Sequence, residues 1–179
     1  NGGAWTSNLA NAGDTIPVQT GKATLSLKNV AGDGVDSVWV YLLKAGGKGT
    51  GKKTKTGRQG LSGKACFQVL DGVSYRFKIV YNGGTLVEPA LTATAPVGVS
   101  GSTILTEVQT VPTTLTLTDS GESGINNVWV YLLKDNAKGT GKKIKTTAVN
   151  AIDGIALFDV LPTIDHRFKV VYRGGTLIT

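Results

Sequence analysis

Residues 37–44 read Ser-Val-Trp-Val-Tyr-Leu-Leu-Lys, and residues 127–134 repeat seven of these eight letters, with Asn in place of Ser. Both copies run into the same basic stretch, Lys-Gly-Thr-Gly-Lys-Lys, at residues 48–53 and 138–143. A short apolar run bounded by glycines and lysines is typical of a β-strand followed by a turn. Because strand and turn recur together ninety residues apart, the sequence predicts two copies of one structural repeat.

Further matches extend the repeat towards both ends of the 179-residue chain. The segment Tyr-Asn-Gly-Gly-Thr-Leu at residues 81–86 returns as Tyr-Arg-Gly-Gly-Thr-Leu at residues 172–177. The opening residues, Asn1-Gly2-Gly3, resemble the middle of this segment, and residues 18–20 match residues 108–110. We therefore predict three parts: a repeat tail at 1–19 that belongs to a preceding or neighbouring sandwich, a complete sandwich repeat at 20–111, and a second repeat at 112–179 that lacks its last strands.

Period-two alternation of apolar and polar residues, together with 25 glycines and few strong helix formers, predicts an all-β fold. Each repeat should be an immunoglobulin-like or prealbumin-like sandwich of about seven strands. Residues 38–43 are apolar on both faces, which predicts a central strand buried on one side and covered on the other. Residues 65–70 and 75–81 should pair as a hairpin around Asp71-Gly72. The predicted inner faces carry Leu25, Leu27, Val38, Val40, Leu42, Phe67, Val69, Phe77 and Ile79.

Residues 34–42 and 63–78 carry the order Gly-Val-x-x-Val-x-Val-Tyr-Leu and Gly-x-Ala-x-Phe-x-Val-Leu-Asp-Gly-x-x-Tyr-x-Phe-Lys. This order resembles the tandem prealbumin-like repeats of bacterial surface proteins, including the collagen-adhesin B-type class. The resemblance implies a sandwich fold and an extracellular or cell-surface location. It also implies an internal Lys–Asn isopeptide bond beside a buried acid. Lys28 lies near the expected lysine position, but Thr118 replaces it in the second copy, so we do not transfer the bond.

Two recurring sets of residues are candidates for binding. The net charge of +7 favours an anionic partner. The repeated lysines predict either a solvated strand edge that blocks stray pairing or a patch for anionic polysaccharide or another polyanion: Lys48, Lys52, Lys53, Lys138, Lys142 and Lys143. Specific nucleic-acid recognition is not expected, because aromatic residues do not alternate with these lysines along the chain. The aromatic residues of the repeated strand predict an assembly or carbohydrate face, or else a surface covered by its own domain: Trp39, Tyr41, Trp129 and Tyr131.

The sequence offers no recurring polar cluster suited to catalysis, which requires a nucleophile beside a base or a tuned pair of acids. The single histidine, His166, stands where the first copy has Tyr75, and the single cysteine, Cys66, stands where the second copy has Leu157. We interpret Cys66 as a small core hydrophobe. We predict no enzymatic activity, no catalytic residue, no metal and no cofactor, and no apolar run is long enough to span a bilayer.

These observations predict a structural subunit or segment of a bacterial cell-surface or extracellular fibre, stalk or matrix. Its sandwiches would be completed head-to-tail by the next repeat or the next subunit, through continuation of the chain or through strand donation. The alternative is a carbohydrate- or polyanion-binding surface module, an adhesin, that uses the repeated basic hairpins.

Overall fold

The computed structural model describes residues 20–92 and 103–179, so the predicted tail at 1–19 lies outside the described residues. Within them the chain forms strands and a single 3-10 turn at Arg58–Gly60. None of the described residues form a helix long and apolar enough to cross a membrane. The first eight strands are β1 (Thr20–Lys28), β2 (Trp39–Lys44), β3 (Gly49–Lys55), β4 (Lys64–Leu70), β5 (Ser74–Tyr81), β6 (Gly84–Val87), β7 (Leu91–Thr92) and β8 (Thr103–Gln109). The others are β9 (Val111–Thr116), β10 (Trp129–Lys134), β11 (Gly139–Lys145), β12 (Thr147–Val149), β13 (Ile152–Val160), β14 (His166–Tyr172) and β15 (Gly175–Ile178).

Strands β1–β8 form two sheets around one hydrophobic core, and we call them the first unit. One sheet has the order β4-β1-β8, and the other has the order β3-β2-β5-β6, with β7 also paired to β5. Strand β8 runs parallel to β1, whereas the other pairs are antiparallel. All nine residues predicted for the inner faces are buried in this core. The all-β sandwich predicted from alternation is therefore confirmed.

Strands β9–β15 form the second unit, with sheets ordered β12-β13-β9 and β11-β10-β14-β15. The larger sheet has the same strand order as its counterpart in the first unit. Its register is also the same, since Trp39 lies opposite Lys55 and Trp129 lies opposite Lys145. A second core lies between the two sheets and contains Val128, Val130, Leu132, Ala156, Phe158, Val160 and Val170.

A buried threonine fixes the chain just before the central strand of each unit. The Thr56 hydroxyl accepts a hydrogen bond from the Val38 amide at 3.1 Å and donates one to the Val35 carbonyl at 2.7 Å. In the second unit Thr146 makes the equivalent bonds, at 3.0 and 2.7 Å. Each hydroxyl satisfies one buried and one partly buried backbone group, and buried polar groups are costly to leave unpaired.

The predicted hairpin of residues 65–70 and 75–81 is wrong. Strand β4 pairs with β1, and β5 pairs with β2 and β6, so the turn at Asp71-Gly72 carries the chain from one sheet to the other. The Leu70 amide donates to the Tyr75 hydroxyl at 3.3 Å across this crossing. Alternation shows which side chains face the core, and both strands do contribute to it. It does not show whether two such strands are neighbours in one sheet or face each other across the core.

Two predictions of burial are also wrong. Residues 38–43 were expected to be covered on their outer face, but Trp39 is 37% exposed and Trp129 is 39% exposed. Cys66 was expected in the core, but it is half-buried on the outer face of β4, between the buried Ala65 and Phe67. An apolar residue on the outer face of a sheet is common, because there is not enough polar surface to cover a protein completely.

Replacing Thr56 with Val tests the role of the threonine hydroxyl. The change keeps the shape of the side chain but leaves the Val38 amide and the Val35 carbonyl without this partner. We expect the free energy of unfolding to fall by about 1–3 kcal/mol, measured by urea denaturation. The control is Thr54→Ile, since Ile144 occupies this position in the second unit, and it should change stability by less than about 0.5 kcal/mol. Equal losses in both variants would contradict the role of Thr56.

Candidate interaction surfaces

The outer face of the larger sheet in the first unit carries aromatic rings beneath lysine ammonium groups. Strand pairing places Lys55 opposite Trp39, and both Lys53 and Lys78 opposite Tyr41. Lys53 Nζ lies 4.9 Å from the Trp39 ring centroid and 5.9 Å from that of Tyr41. Lys55 Nζ lies 5.1 Å from Trp39, and Lys78 Nζ lies 4.5 Å from Tyr41. We call these five residues the aromatic–lysine face.

The second unit has the same face. Lys143 Nζ lies 4.5 Å from the Trp129 ring centroid and 5.8 Å from that of Tyr131. Lys145 covers Trp129 at 5.4 Å, and Lys169 covers Tyr131 at 5.4 Å. Cation–π contacts at exposed sites contribute about 0.5–1 kcal/mol each. They hold the lysine side chains over rings that no other layer of the described chain covers.

Of the six lysines predicted to bind polyanions, two lie over the aromatic rings and four do not. The pairing of β2 with β3 shifts between Tyr41 and Leu43, where the partner changes from Lys53 to Gly49. Lys53 lies opposite Tyr41, and its counterpart Lys143 lies opposite Tyr131, so these two lysines lie on the aromatic–lysine face. The other four are not among the lysines placed over these rings: Lys48, Lys52, Lys138 and Lys142. In the folded chain, lysines from the flanking strands lie over the aromatic rings of the central strand, although aromatic residues and these lysines do not alternate along the sequence.

One edge of the second unit has no partner among the described residues. Strand β1 lies between β4 and β8, whereas its counterpart β9 pairs with β13 on one side alone in the described part of the chain. Leu25 and Leu27 on β1 are fully buried, but the equivalent Leu115 and Leu117 are only partly buried. We call the free side of β9 the β9 edge.

The two units meet at the turn between β5 and β6. The Asn82 side-chain amide donates to the Asp159 carbonyl at 2.6 Å. His166 Nε2 lies 3.3 Å from the Asn82 carbonyl oxygen, and His166 Nδ1 lies 2.9 Å from that of Ile164. Residues 81–84 of the first unit therefore rest against the end of the second unit. The single histidine takes part in this junction.

Apolar contacts complete the junction. Leu161 is fully buried and belongs to the core of the first unit, against which Tyr81 and Ile164 also pack. Burial raises the pKa of the Tyr81 phenol, and the Asp159 carboxylate raises it further. Gly83 has a φ of +83°, and a Cβ there would overlap the Thr140 side chain. This close approach therefore requires glycine.

Sequence reasoning did not identify this junction. The available signal was the recurrence of Tyr-x-Gly-Gly at residues 81–84 and 172–175, because an invariant turn between repeats can reflect a contact as well as a local fold.

Residues of catalytic or metal-binding type do not converge in the described structure. Within it, no group of three or more His, Cys, Asp and Glu residues could hold a metal ion. Lys28 Nζ lies 2.8 Å from Glu107, and the two side chains are 38% and 55% exposed. Ion pairs as exposed as this one contribute little to stability. The Lys28 amine thus forms a surface salt bridge.

No protein-family model matches the chain, and no curated protein matches it. Among solved structures, the Bacillus anthracis TIE protein aligns over 90% of this chain and 31% of its own, with 20% identity and a TM-score of 0.37. A streptococcal ancillary pilin aligns over 90% of this chain and 58% of its own, with 13% identity and a TM-score of 0.41. The major pilin subunit of Bacillus cereus aligns over 85% of this chain and 88% of its own, with 9% identity and a TM-score of 0.39. The chain thus spans about a third of the first protein and somewhat more than half of the second, and similarity at this level says nothing about function.

Leu161→Ala and Leu70→Ala form a matched test of the junction, because the two leucines occupy the same position in the two units. Leu161 is fully buried between the units, whereas Leu70 is 46% exposed. We expect Leu161→Ala to lower the free energy of unfolding by about 2–5 kcal/mol and Leu70→Ala to lower it by less than about 0.5 kcal/mol. Urea denaturation measures both, and similar losses would rule out the junction described above.

Proposed function

We propose that the chain is a structural segment or subunit of a bacterial cell-surface or extracellular fibre, stalk or matrix. Its second unit is completed by a strand from the next repeat or the next subunit. The observation that carries this proposal is the β9 edge, which has no partner among the described residues, whereas β1 has β8. An unpaired edge with a partly buried apolar face is the template for strand addition.

Strand β8 shows what the added strand must supply. It pairs with β1 over seven residues, from Thr103 opposite Lys22 to Gln109 opposite Lys28. Ile104 and Val108 on this strand are buried, whereas Leu105 is 65% exposed. A strand with the same alternation would pair with the backbone of β9 and cover the apolar face of the second unit.

The chain order around β8 supports head-to-tail completion. Strand β8 closes a sheet of the first unit and ends at Gln109, and β9 begins the second unit at Val111. The strand that completes one unit is therefore followed at once by the first strand of the next. Residues 18–20 match residues 108–110 and lead into β1 in the same way. Thr20 already pairs with Leu70 as part of β1, so the segment that we propose as the donor for the β9 edge of another copy or repeat ends at Gln19.

Strand donation is tested by Val18→Lys with Gln19→Lys as its control. Val18 matches the buried Val108, and Gln19 matches the exposed Gln109, so we expect the same charge to face the core in one variant and solvent in the other. We expect the parent chain to form head-to-tail oligomers at rising concentration in sedimentation velocity. Val18→Lys should abolish them, because a buried lysine without a partner is costly, and Gln19→Lys should not. A parent chain that stays monomeric, or equal effects of the two variants, would refute donation.

A second candidate function is polyanion binding at the aromatic–lysine face. The observation in its favour is the clustering of three lysine side chains over two rings in each unit. The rings hold the ammonium groups in a fixed array, and an anionic polymer could pair with several of them at once. The same contacts also serve to cover the apolar face of the sheet, which is a structural role.

Binding of dextran sulfate, a soluble polyanion, distinguishes a polyanion-binding role of these lysines from a purely structural one. If the face binds polyanions, Lys53→Ala together with Lys143→Ala should weaken binding by about tenfold at low salt. The control pair, Lys48→Ala with Lys138→Ala, removes the same charge away from the rings. Isothermal titration over a series of salt concentrations measures the affinity. Equal losses in both pairs would indicate attraction to net charge alone and would exclude a site at this face.

A further inference from the structure

In the described part of the chain, the first unit is open at the end where the second unit is covered. Four residues of the second unit at the junction have counterparts in the first unit: Thr50 for Thr140, Leu70 for Leu161, Val73 for Ile164 and Tyr75 for His166. These four counterparts line a cavity of about 710 Å³, which we call the first-unit pole. Leu161 is fully buried, whereas Leu70 is 46% exposed. This leucine is therefore buried in the unit that has a neighbour at this position and exposed in the unit that has none among the described residues.

The turn between β14 and β15 of the second unit matches the covering turn, and none of the described residues covers it. Residues 172–175 repeat Tyr-x-Gly-Gly, and all four are exposed. A Cβ on Gly174 would meet nothing within 4 Å, whereas one on Gly83 would overlap Thr140. The backbone is nevertheless the same in both turns. Asn82 and Gly83 have φ values of 46° and 83°, and Arg173 and Gly174 have φ values of 48° and 80°.

We propose that the turn at residues 172–175 of one copy docks into the first-unit pole of a second copy and reproduces the junction between the two units. This inference rests on the head-to-tail assembly proposed above, and it names a second contact within the same interface. The turn has its docked backbone conformation before it binds. Its ordering therefore costs little free energy on association.

The chemistry of the counterparts fits this contact. Gly174 would approach Thr50 as Gly83 approaches Thr140, and Arg173 would lie beside Gln68, which takes the place of Asp159. The Tyr75 hydroxyl accepts from the Leu70 amide at 3.3 Å, so its proton remains able to donate to the incoming carbonyl as a His166 ring N–H can. The exposed side chains of Leu70 and Tyr172 would lose contact with water, which is the main favourable term.

A second copy is the occupant that the sequence favours. A complete Tyr-x-Gly-Gly turn occurs twice in the chain, and the copy at residues 81–84 is already docked. Asn1-Gly2-Gly3 matches the last three residues of that turn. Residues 1–19 of the same molecule are therefore the competing occupant that an experiment must separate from the second copy.

Cross-linking between two single-cysteine copies tests the proposal in the full chain. In a Cys66→Ala background, one copy carries Gln68→Cys and the other carries Arg173→Cys. The two positions correspond to Asp159 and Asn82, which are in contact in the existing junction. We expect the mixture to form a disulfide-linked dimer at least about tenfold faster than either copy alone. Asn82→Cys with Asp159→Cys in a single chain is the positive control.

Leu70→Lys and Leu105→Lys provide the matched pair for specificity. Both leucines are exposed, but only Leu70 lies at the first-unit pole, and Leu105 lies on the outer face of β8. Leu70→Lys should slow cross-linking by about tenfold, as expected for the loss of one buried leucine at an interface. Leu105→Lys should leave the rate unchanged. Equal slowing by both changes would overturn the docking site.

The outcomes also separate this inference from strand donation. If the cross-link still forms when both copies also carry Val18→Lys, docking is supported and does not require strand donation. Oligomers that depend on Val18 but do not cross-link between positions 68 and 173 overturn docking and leave donation intact. Cross-linking that appears only after deletion of residues 1–19 overturns the proposal, because it identifies the chain's own tail as the occupant of the pole.

Discussion

The first unit depends on one constraint: its first strand must have a neighbour on both sides for its leucines to be fully buried. In the first unit β1 lies between β4 and β8, and Leu25 and Leu27 are fully buried. Strand β8 comes from the far end of the unit in sequence and runs parallel to β1. A sandwich built in this way is closed by the segment that leads into the next unit. In the first unit, therefore, the strand that completes the sandwich is also the segment that leads to the second unit.

The junction and the β9 edge depend on the same physical effect. An apolar side chain contributes to stability only when a partner excludes water from it, and the partner of Leu161 is the neighbouring unit. Its counterpart Leu70 has the same chemistry and remains 46% exposed. Burial at this position is set by the presence of a neighbour. In the same way, Gly83 is constrained by a packed threonine, whereas Gly174 is constrained only by its backbone conformation.

The aromatic–lysine face shows how a half-exposed sheet surface can be covered without another layer of protein. Trp39 and Tyr41 are large apolar groups on the outer side of a strand, and lysines from the two flanking strands extend over them. The lysine stems reduce the exposed apolar area while the ammonium groups stay in water. Sequence reasoning treated the rings and the lysines as separate candidates because they are distant along the chain. Cross-strand register brings them together, and register is not visible in one strand alone.

The sequence by itself determined the all-β class, the two copies of the central strand and the nine inner-face residues of the first unit. It could do so because the side chains of a strand alternate between two faces, so burial leaves a period-two pattern in the residues. Only the tertiary structure decided that β4 and β5 lie in different sheets, that Lys53 covers Trp39, and that Leu161 is buried where Leu70 is exposed. These features depend on which strand, sheet or unit lies alongside, and that choice is made by contacts between residues far apart in the chain.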